Sequence, residues 1–383
     1  MFGEKKQLDT TILITLAGLF VFSIIAVYSG SGQYVTDNPY HFAVRQVIWY
    51  GIGISMMIGI ARFDYELLKR IAPYLYFICA GLLLLVYLFG TEKNGSQRWL
   101  SFGFIEIQPS EFMKIALIIY LASVLSKIGS EKLAFKKSIM FTFRVGLVSI
   151  IPFLLIMVQP DLGSALVIIG ITVSILVVSS ISPKMIGLIF SIGAVFTSLL
   201  VYIFYFHQAL FTRFFKPHQL SRIYGWLYPE QYTSDYGYQL QQAMLGIGSG
   251  QIGGKGVNQG VQVQSGKVPE AHTDFIFAVI GEEFGFIGSS ILIFIYFLLI
   301  YRLVQIANES NDLFGSFICI GAVGLISLQV FQNIGMTIGV TPITGIALPF
   351  VSYGGSALLT NFIVIGLVLS VHLRTRKYLF ADE

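Results

Sequence analysis

Ten apolar stretches constrain this chain more than any other feature of its sequence. They lie near residues 8–29, 43–61, 71–90, 109–126, 144–159, 163–181, 185–206, 284–306, 313–335 and 354–373. As a helix, a run of about 20 apolar residues is long enough to cross roughly 30 Å of hydrocarbon. The spacing therefore predicts an all-α polytopic membrane protein of about ten transmembrane helices, with one long extracellular loop between helices 7 and 8. Composition agrees: 55% of the 383 residues are apolar and 11% are charged. The mean hydropathy of +0.77 excludes an ordinary soluble domain. A net charge of +4, scattered in short clusters between apolar runs, gives no basis for a nucleic-acid partner. Cys79 and Cys319 fall inside apolar stretches and read as small buried hydrophobes, with no disulfide and no thiol-bound metal.

Orientation follows from the basic residues. With the N-terminus inside, the inner loops and helix ends hold Lys5, Lys6, Arg62, Lys69, Arg70, Lys127, Lys132, Lys136, Lys137, Arg144, Lys184, Arg302, Arg374, Arg376 and Lys377. These are 15 of the 24 basic residues, against only Lys93 and Arg98 in the short outer loops. The positive-inside rule then places both termini in the cytoplasm, in a multi-pass protein of the cytoplasmic membrane. The first stretch lacks a small-residue cleavage site and no soluble domain follows it, so it reads as a retained span rather than a signal peptide.

Residues 207–283 break the apolar pattern and on this topology face outward. They carry Arg213, Lys216, Arg222, Lys255, Lys267 and Asp274, and a loop of that length is commonly functional. Its aromatics (Tyr224, Trp226, Tyr228, Tyr232, Tyr236 and Tyr238) and its apolar tail, Phe275 to Ile280, favour packing at the membrane surface. No repeat or low-complexity linker divides the chain, which reads as a single domain over 1–383.

Several motifs invite competing readings. Gly248 to Gly253 match G-x-G-x-x-G, but no strand precedes them, so a tight surface turn is favoured over a dinucleotide site. Glu111 and Lys114, three residues apart on the fourth span, share a helix face. They are either a self-neutralising structural pair or the lining of a polar cavity that opens outward near Arg98, Trp99, Gln108 and Ser110. The run from Pro342 to Ser356, with two prolines and three glycines, reads as a non-helical outer loop dipping toward the bilayer, or as a packed connector.

Asp274 is the foremost catalytic candidate. It lies where a polar loop turns apolar, and partial desolvation there raises a carboxyl toward the range of a general base. Helix capping by Thr273 or Asp274 is the alternative. So is a divalent-cation site, for Mg or Mn, built with Glu282 and Glu283.

The chain resembles the SEDS family, the shape, elongation, division and sporulation proteins. The matching blocks are Arg98-Trp99, Gln108-Pro109-Ser110-Glu111 with Lys114, Gln159-Pro160-Asp161 with Gly163-Ser164, and Gly250 through Gly256. They continue with Pro269-Glu270 through Phe277, Gly281-Glu282-Glu283, Asn333-Ile334-Gly335-Met336, and Leu348 through Ser356. Thr344-Gly345-Ile346 and the Asp-Phe-Ile-Phe context look more like the elongation branch (RodA) than the division branch (FtsW). Ala347 departs from the proline or threonine of many members.

The resemblance implies a ten-helix peptidoglycan glycosyltransferase that polymerises lipid II and works with a class B penicillin-binding protein, a transpeptidase. The family's essential acid falls on Asp274. The expected reaction is an inverting displacement in which Asp274 deprotonates the acceptor 4-hydroxyl and cations stand near the departing pyrophosphate. Arg98, Arg213, Lys255 and Lys114 are the candidate cations, and Trp99, Gln108, Ser110, Glu111 and Ser352 complete the expected substrate contacts. A lipid II flippase, a division-type glycosyltransferase and a non-catalytic scaffold are the alternatives.

Overall fold

The computed structural model describes residues 7–32, 40–93, 96–102, 105–214, 217–232 and 236–375. Lys5, Lys6, Lys216, Arg376 and Lys377, counted in the sequence reading, lie outside these residues. Seven long helices come first: α1 (Thr10–Gly30), α2 (His41–Arg62), α3 (Leu68–Phe89), α4 (Pro109–Leu125), α5 (Phe135–Val158), α6 (Leu162–Val178) and α7 (Pro183–Phe206). Four short helices follow, α8 (Gln208–Phe214), α9 (Pro217–Leu227), α10 (Tyr236–Ser249) and α11 (Val261–Gln264), then α12 (Ile276–Glu309), α13 (Leu313–Thr337) and α14 (Gly355–Arg374).

The ten expected spans thus each find a helix. Among the described residues, eight helices are long and apolar enough to cross a membrane. The other two, α4 and α6, have 17 residues each, or roughly 25 Å of helix. α4 is buried along nearly its whole length and sits inside the bundle against α3, α6 and α13. By contrast α7 buries only Met185 fully, packs Ile186 and Ile189 against the core, and turns most of its other side chains outward.

Three features depart from the sequence reading. A small antiparallel sheet, β1 (Thr91–Lys93), β2 (Ser96–Phe102) and β3 (Ile105–Ile107), covers the connection between α3 and α4. α5 begins at Phe135, ahead of the expected 144. α12 begins at Ile276 rather than near 284, because it contains a break at Gly285, where φ is +62° and ψ is −157°.

That break is a docking point. Phe286 N donates to Gln251 O at 2.9 Å and Ile287 N to Ile252 O at 3.1 Å, while Lys255 N and Gly256 N donate to the carbonyls of Glu282 and Glu283. The freed backbone groups of α12 are paired with the glycine-rich segment 250–256 instead of with the helix. A Cβ on Gly285 would stand 2.4 Å from Gly254 N, so only glycine permits this approach.

The segment 340–354 between α13 and α14 is irregular yet, beyond the exposed Val340, buried or half-buried, and its carbonyls find partners on the spans. Tyr296 hydroxyl donates to Pro349 O, Tyr50 hydroxyl to Phe350 O, Ser23 Oγ to Val351 O and Gln46 Nε2 to Ser352 O. Of the two readings of 342–356, the packed connector is what these contacts describe: its non-helical backbone is tolerated because surrounding protein pairs it, and Gly355 and Ser356 already open α14.

The opposite end of the bundle is clasped by charge. Arg302 Nε lies 2.7 Å from Asp9 Oδ2, Tyr65 hydroxyl donates to Asp312 Oδ1 at 3.1 Å, and Arg374 Nη1 donates to Ala61 O at 3.2 Å. The start of α1, the end of α2, the α12–α13 turn and the end of α14 therefore meet at one end.

Candidate active site

Asp274 precedes α12, and the backbone around it is tied down on every side. Ser352 Oγ donates to Thr273 O at 2.6 Å, Tyr353 N to His272 O at 2.9 Å, and Asn333 Nδ2 to Asp274 O at 2.8 Å and to Ile346 O at 2.7 Å. Phe275, not Thr273 or Asp274, occupies the cap position of α12, and no side chain caps the helix. The Asp274 carboxylate is thus not used as a helix cap. Gly345 faces it: a Cβ there would stand 3.1 Å from Asp274 Oδ2, and the backbone φ of +70° already excludes most side chains.

A cavity of about 970 Å³ opens beside Asp274. Its wall includes Arg98, Trp99, Gln108 and Glu111 from the sequence reading, and Glu106, Asp161, Arg222, Tyr236, Glu270 and Gln329 beyond it. Burial pushes the Asp274 carboxyl up to about 6. Glu270 and, more weakly, Asp161 push the same way, while Arg222 and Arg98 oppose them.

The two arginines are held differently. Arg98 Nη2 donates to Pro160 O at 2.6 Å, and its Nη1 stands 3.6 Å from Asp161 Oδ1. Asp161 also caps α6 by accepting from Ser164 N, and Gln108 Nε2 donates to it at 3.3 Å. Arg222, on α9, lies over the Tyr236 ring with its guanidinium carbon 5.0 Å from the centroid, and donates to Thr344 O and the Tyr236 hydroxyl. Tyrosine and carbonyl are neutral, so the positive charge of Arg222 is left available to the cavity.

Glu111 and Lys114 form a 2.6 Å ion pair, and Thr360 Oγ1 donates to the second Glu111 oxygen at 3.3 Å. Glu111 reaches the cavity wall; Lys114, 1% exposed, stands behind it. Both readings of the pair therefore hold together, since it neutralises itself and also lines polar space.

The other predicted contacts stand outside the cavity wall. Lys255 Nζ lies 2.8 Å from Glu282 Oε1, a carboxylate that also accepts from Gln262 N and Val263 N. Arg213 is exposed on α8. Ser110 is buried at the start of α4. Ser352 holds the Thr273 carbonyl and accepts from Leu348 N, which makes it a support for the Asp274 loop. Glu283 accepts from Ser29 Oγ and Gln264. Asp274, Glu282 and Glu283 therefore do not converge, and among the described residues no three His, Cys, Asp or Glu side chains group to hold a metal.

The comparisons agree with this architecture along the whole chain. The family described as cell cycle protein, that of FtsW, RodA and SpoVE, matches residues 9–377. Stage V sporulation protein E of Bacillus subtilis (strain 168) is 35% identical over 387 residues, covering 98% of this chain and all of the relative. Peptidoglycan glycosyltransferase MrdB of Escherichia coli (strain K12) is 35% identical over 371 residues, covering 97% of this chain and 95% of the relative. A solved chain from work on the structural coordination of polymerization and crosslinking by a peptidoglycan synthase complex superposes with a TM-score of 0.77 at 28% identity, covering 95% of this chain and 97% of that one. Matched by the family over residues 9–377 and 35% identical to relatives along nearly its whole length, the chain belongs to the FtsW, RodA and SpoVE family of cell cycle proteins, the SEDS family.

Proposed function

We propose that this chain is a peptidoglycan glycosyltransferase that polymerises lipid II at the outer face of the cytoplasmic membrane. What supports this most is Asp274, a carboxyl raised to about 6 at the wall of a large polar cavity between Arg98 and Arg222. An acid with that pKa is mostly ionised at neutral pH yet basic enough to take a proton in the transition state. Asp274 removes the proton of the acceptor 4-hydroxyl, that oxygen forms a bond to the donor's anomeric carbon, and the bond from that carbon to the diphosphate breaks. Undecaprenyl diphosphate leaves with the electron pair, and the anomeric configuration inverts. Arg222, held only by neutral groups, stabilises the charge that grows on the diphosphate, and its planar fork suits the diphosphate oxygens; Arg98, paired with Asp161, adds its field from the cavity wall. A Mg or Mn ion enters this proposal only as a companion of the diphosphate, because no three His, Cys, Asp or Glu side chains among the described residues group to hold one by themselves. Activity lost in EDTA and restored by Mg tests that role.

In this proposal Asp274 and the glycine-rich segment face outward, and the clasped end of the bundle, with both termini, faces the cytoplasm. The partner is a class B penicillin-binding protein, by likeness to the chain solved within a synthase complex. We place the chain in elongation on the wording of residues 344–346. Depletion that gives rounded cells supports this assignment, and filamentous cells would point to division.

Purified protein given labelled lipid II, with no other polymerase present, separates the alternatives. Glycan strands support the enzyme. Lipid II moved across vesicles without polymer supports a flippase, and neither outcome supports a scaffold.

A further inference from the structure

An amide in the middle of a membrane helix is costly unless its polar atoms find partners. The buried amides Gln46 and Asn333 meet part of that requirement: their nitrogens donate to Ser352 O, Ser23 Oγ, Asp274 O and Ile346 O, while their oxygens have no partner among the described residues. Gln329, on α13, makes no such donation. It is 2% exposed, and its Oε1 has no hydrogen-bond partner among the described residues. Yet it forms part of the cavity wall, together with Ser164 and Glu111.

Its position relative to Asp274 is fixed by the helix. Residues four apart on α13 share a face, so Gln329 lies beneath Asn333, the side chain that holds the Asp274 carbonyl. One turn of helix places it about 6 Å deeper in the bundle than Asn333. Asp274 and Gln329 line the same cavity, so a ligand whose hydroxyl reaches Asp274 has room to extend toward the Gln329 amide.

We propose that Gln329 recognises the acetamido group of the amino sugar whose hydroxyl Asp274 activates, an inference that rests on the glycosyltransferase reading. A primary amide presents one acceptor and two donors. An acetamido group presents one N–H and one carbonyl, so the two can pair by two hydrogen bonds at once. A sugar with only hydrogen at that carbon leaves Gln329 unpaired in a buried site, and sites of that kind reject such analogues strongly.

The test uses the full chain, native lipid II and a lipid II analogue in which hydrogen replaces the acetamido group of the N-acetylglucosamine. For the wild-type chain, kcat/KM is expected to favour the native lipid by about ten- to a hundredfold. In Gln329→Met that preference is expected to shrink to within about threefold, because the variant loses the group that distinguishes the two. A general loss of folding lowers both values together and leaves the ratio unmoved. If Gln329→Met makes no polymer, competition of the two lipids for binding gives the same ratio. An undiminished preference in Gln329→Met overturns the proposal while leaving Asp274 as the base. If the wild-type chain makes no polymer from either lipid, the glycosyltransferase reading itself fails.

Discussion

Gly345 and Arg222 decide what the Asp274 carboxylate can do, and each carries a prediction. Gly345→Ala places a methyl 3.1 Å from Asp274 Oδ2 at a φ of +70°, costing about 1–2 kcal/mol in backbone strain and displacing the carboxylate. Polymerisation kinetics are expected to show kcat reduced by about tenfold or more with KM little changed, since the shift is at the reacting atom. Arg222→Gln is expected to slow polymerisation by about ten- to a hundredfold, and Arg222→Lys to recover only part of that, because lysine keeps the charge but loses the fork and the stacking on Tyr236. A full recovery by lysine in the same assay would mean that charge alone is needed. Asp274 was legible in the sequence because an isolated acid at a polar-to-apolar boundary stands out. Arg222 was hidden among the aromatics of a long loop, and its role depends on Thr344, 122 positions away. Gln329 is one of three amides inside an apolar span, with Gln332 and Asn333, and only the fold shows that it lines the cavity. Lys255 reads in the sequence as a substrate contact because nothing there ties it to Glu282, 27 residues on, which the sequence groups instead with Asp274 and Glu283 as a possible cation site.

The long helices could be located from hydropathy alone, since a membrane demands one apolar run per crossing. The irregular elements could not, because their stability comes from partners distant in the chain. The first half of α12 illustrates this: Gly281-Glu282-Glu283 looks too polar for a span, but Glu282 is fully buried and accepts from Lys255 Nζ and two backbone N–H groups. Glu282→Ala leaves Lys255 and those amides without their acceptor and is expected to cost about 3–5 kcal/mol. Thermal unfolding in detergent should show a clearly lower Tm than for Lys255→Met, which removes only the half-exposed partner. The buried connector 340–354 depends in the same way on side chains of α1, α2 and α12. Tyr50→Phe leaves the Phe350 carbonyl short of a donor and should lower stability by about 1–3 kcal/mol, read in the same melts.

Across the whole molecule, one end is a charged clasp and the other holds the cavity, the glycine-rich segment and Asp274. The proposed orientation makes that division testable in cells. Val257→Cys, at an exposed position just after the glycine-rich segment, should react with a membrane-impermeant maleimide from outside, whereas Lys127→Cys, exposed between α4 and α5, should react only after permeabilisation. The reverse pattern would put Asp274 on the cytoplasmic side, away from extracytoplasmic wall synthesis. The most direct measurement is the pH dependence of lipid II polymerisation by the purified chain, compared with Asp274→Asn. With the carboxyl near 6, the base is protonated and idle below that value, so kcat/KM should rise tenfold per pH unit on the acid side and level off above about pH 6. Asp274→Asn should lose about 10²- to 10⁴-fold in rate together with that acid limb. An Asp274→Asn variant that polymerises at the wild-type rate with the same limb would contradict the assignment of Asp274 as the base.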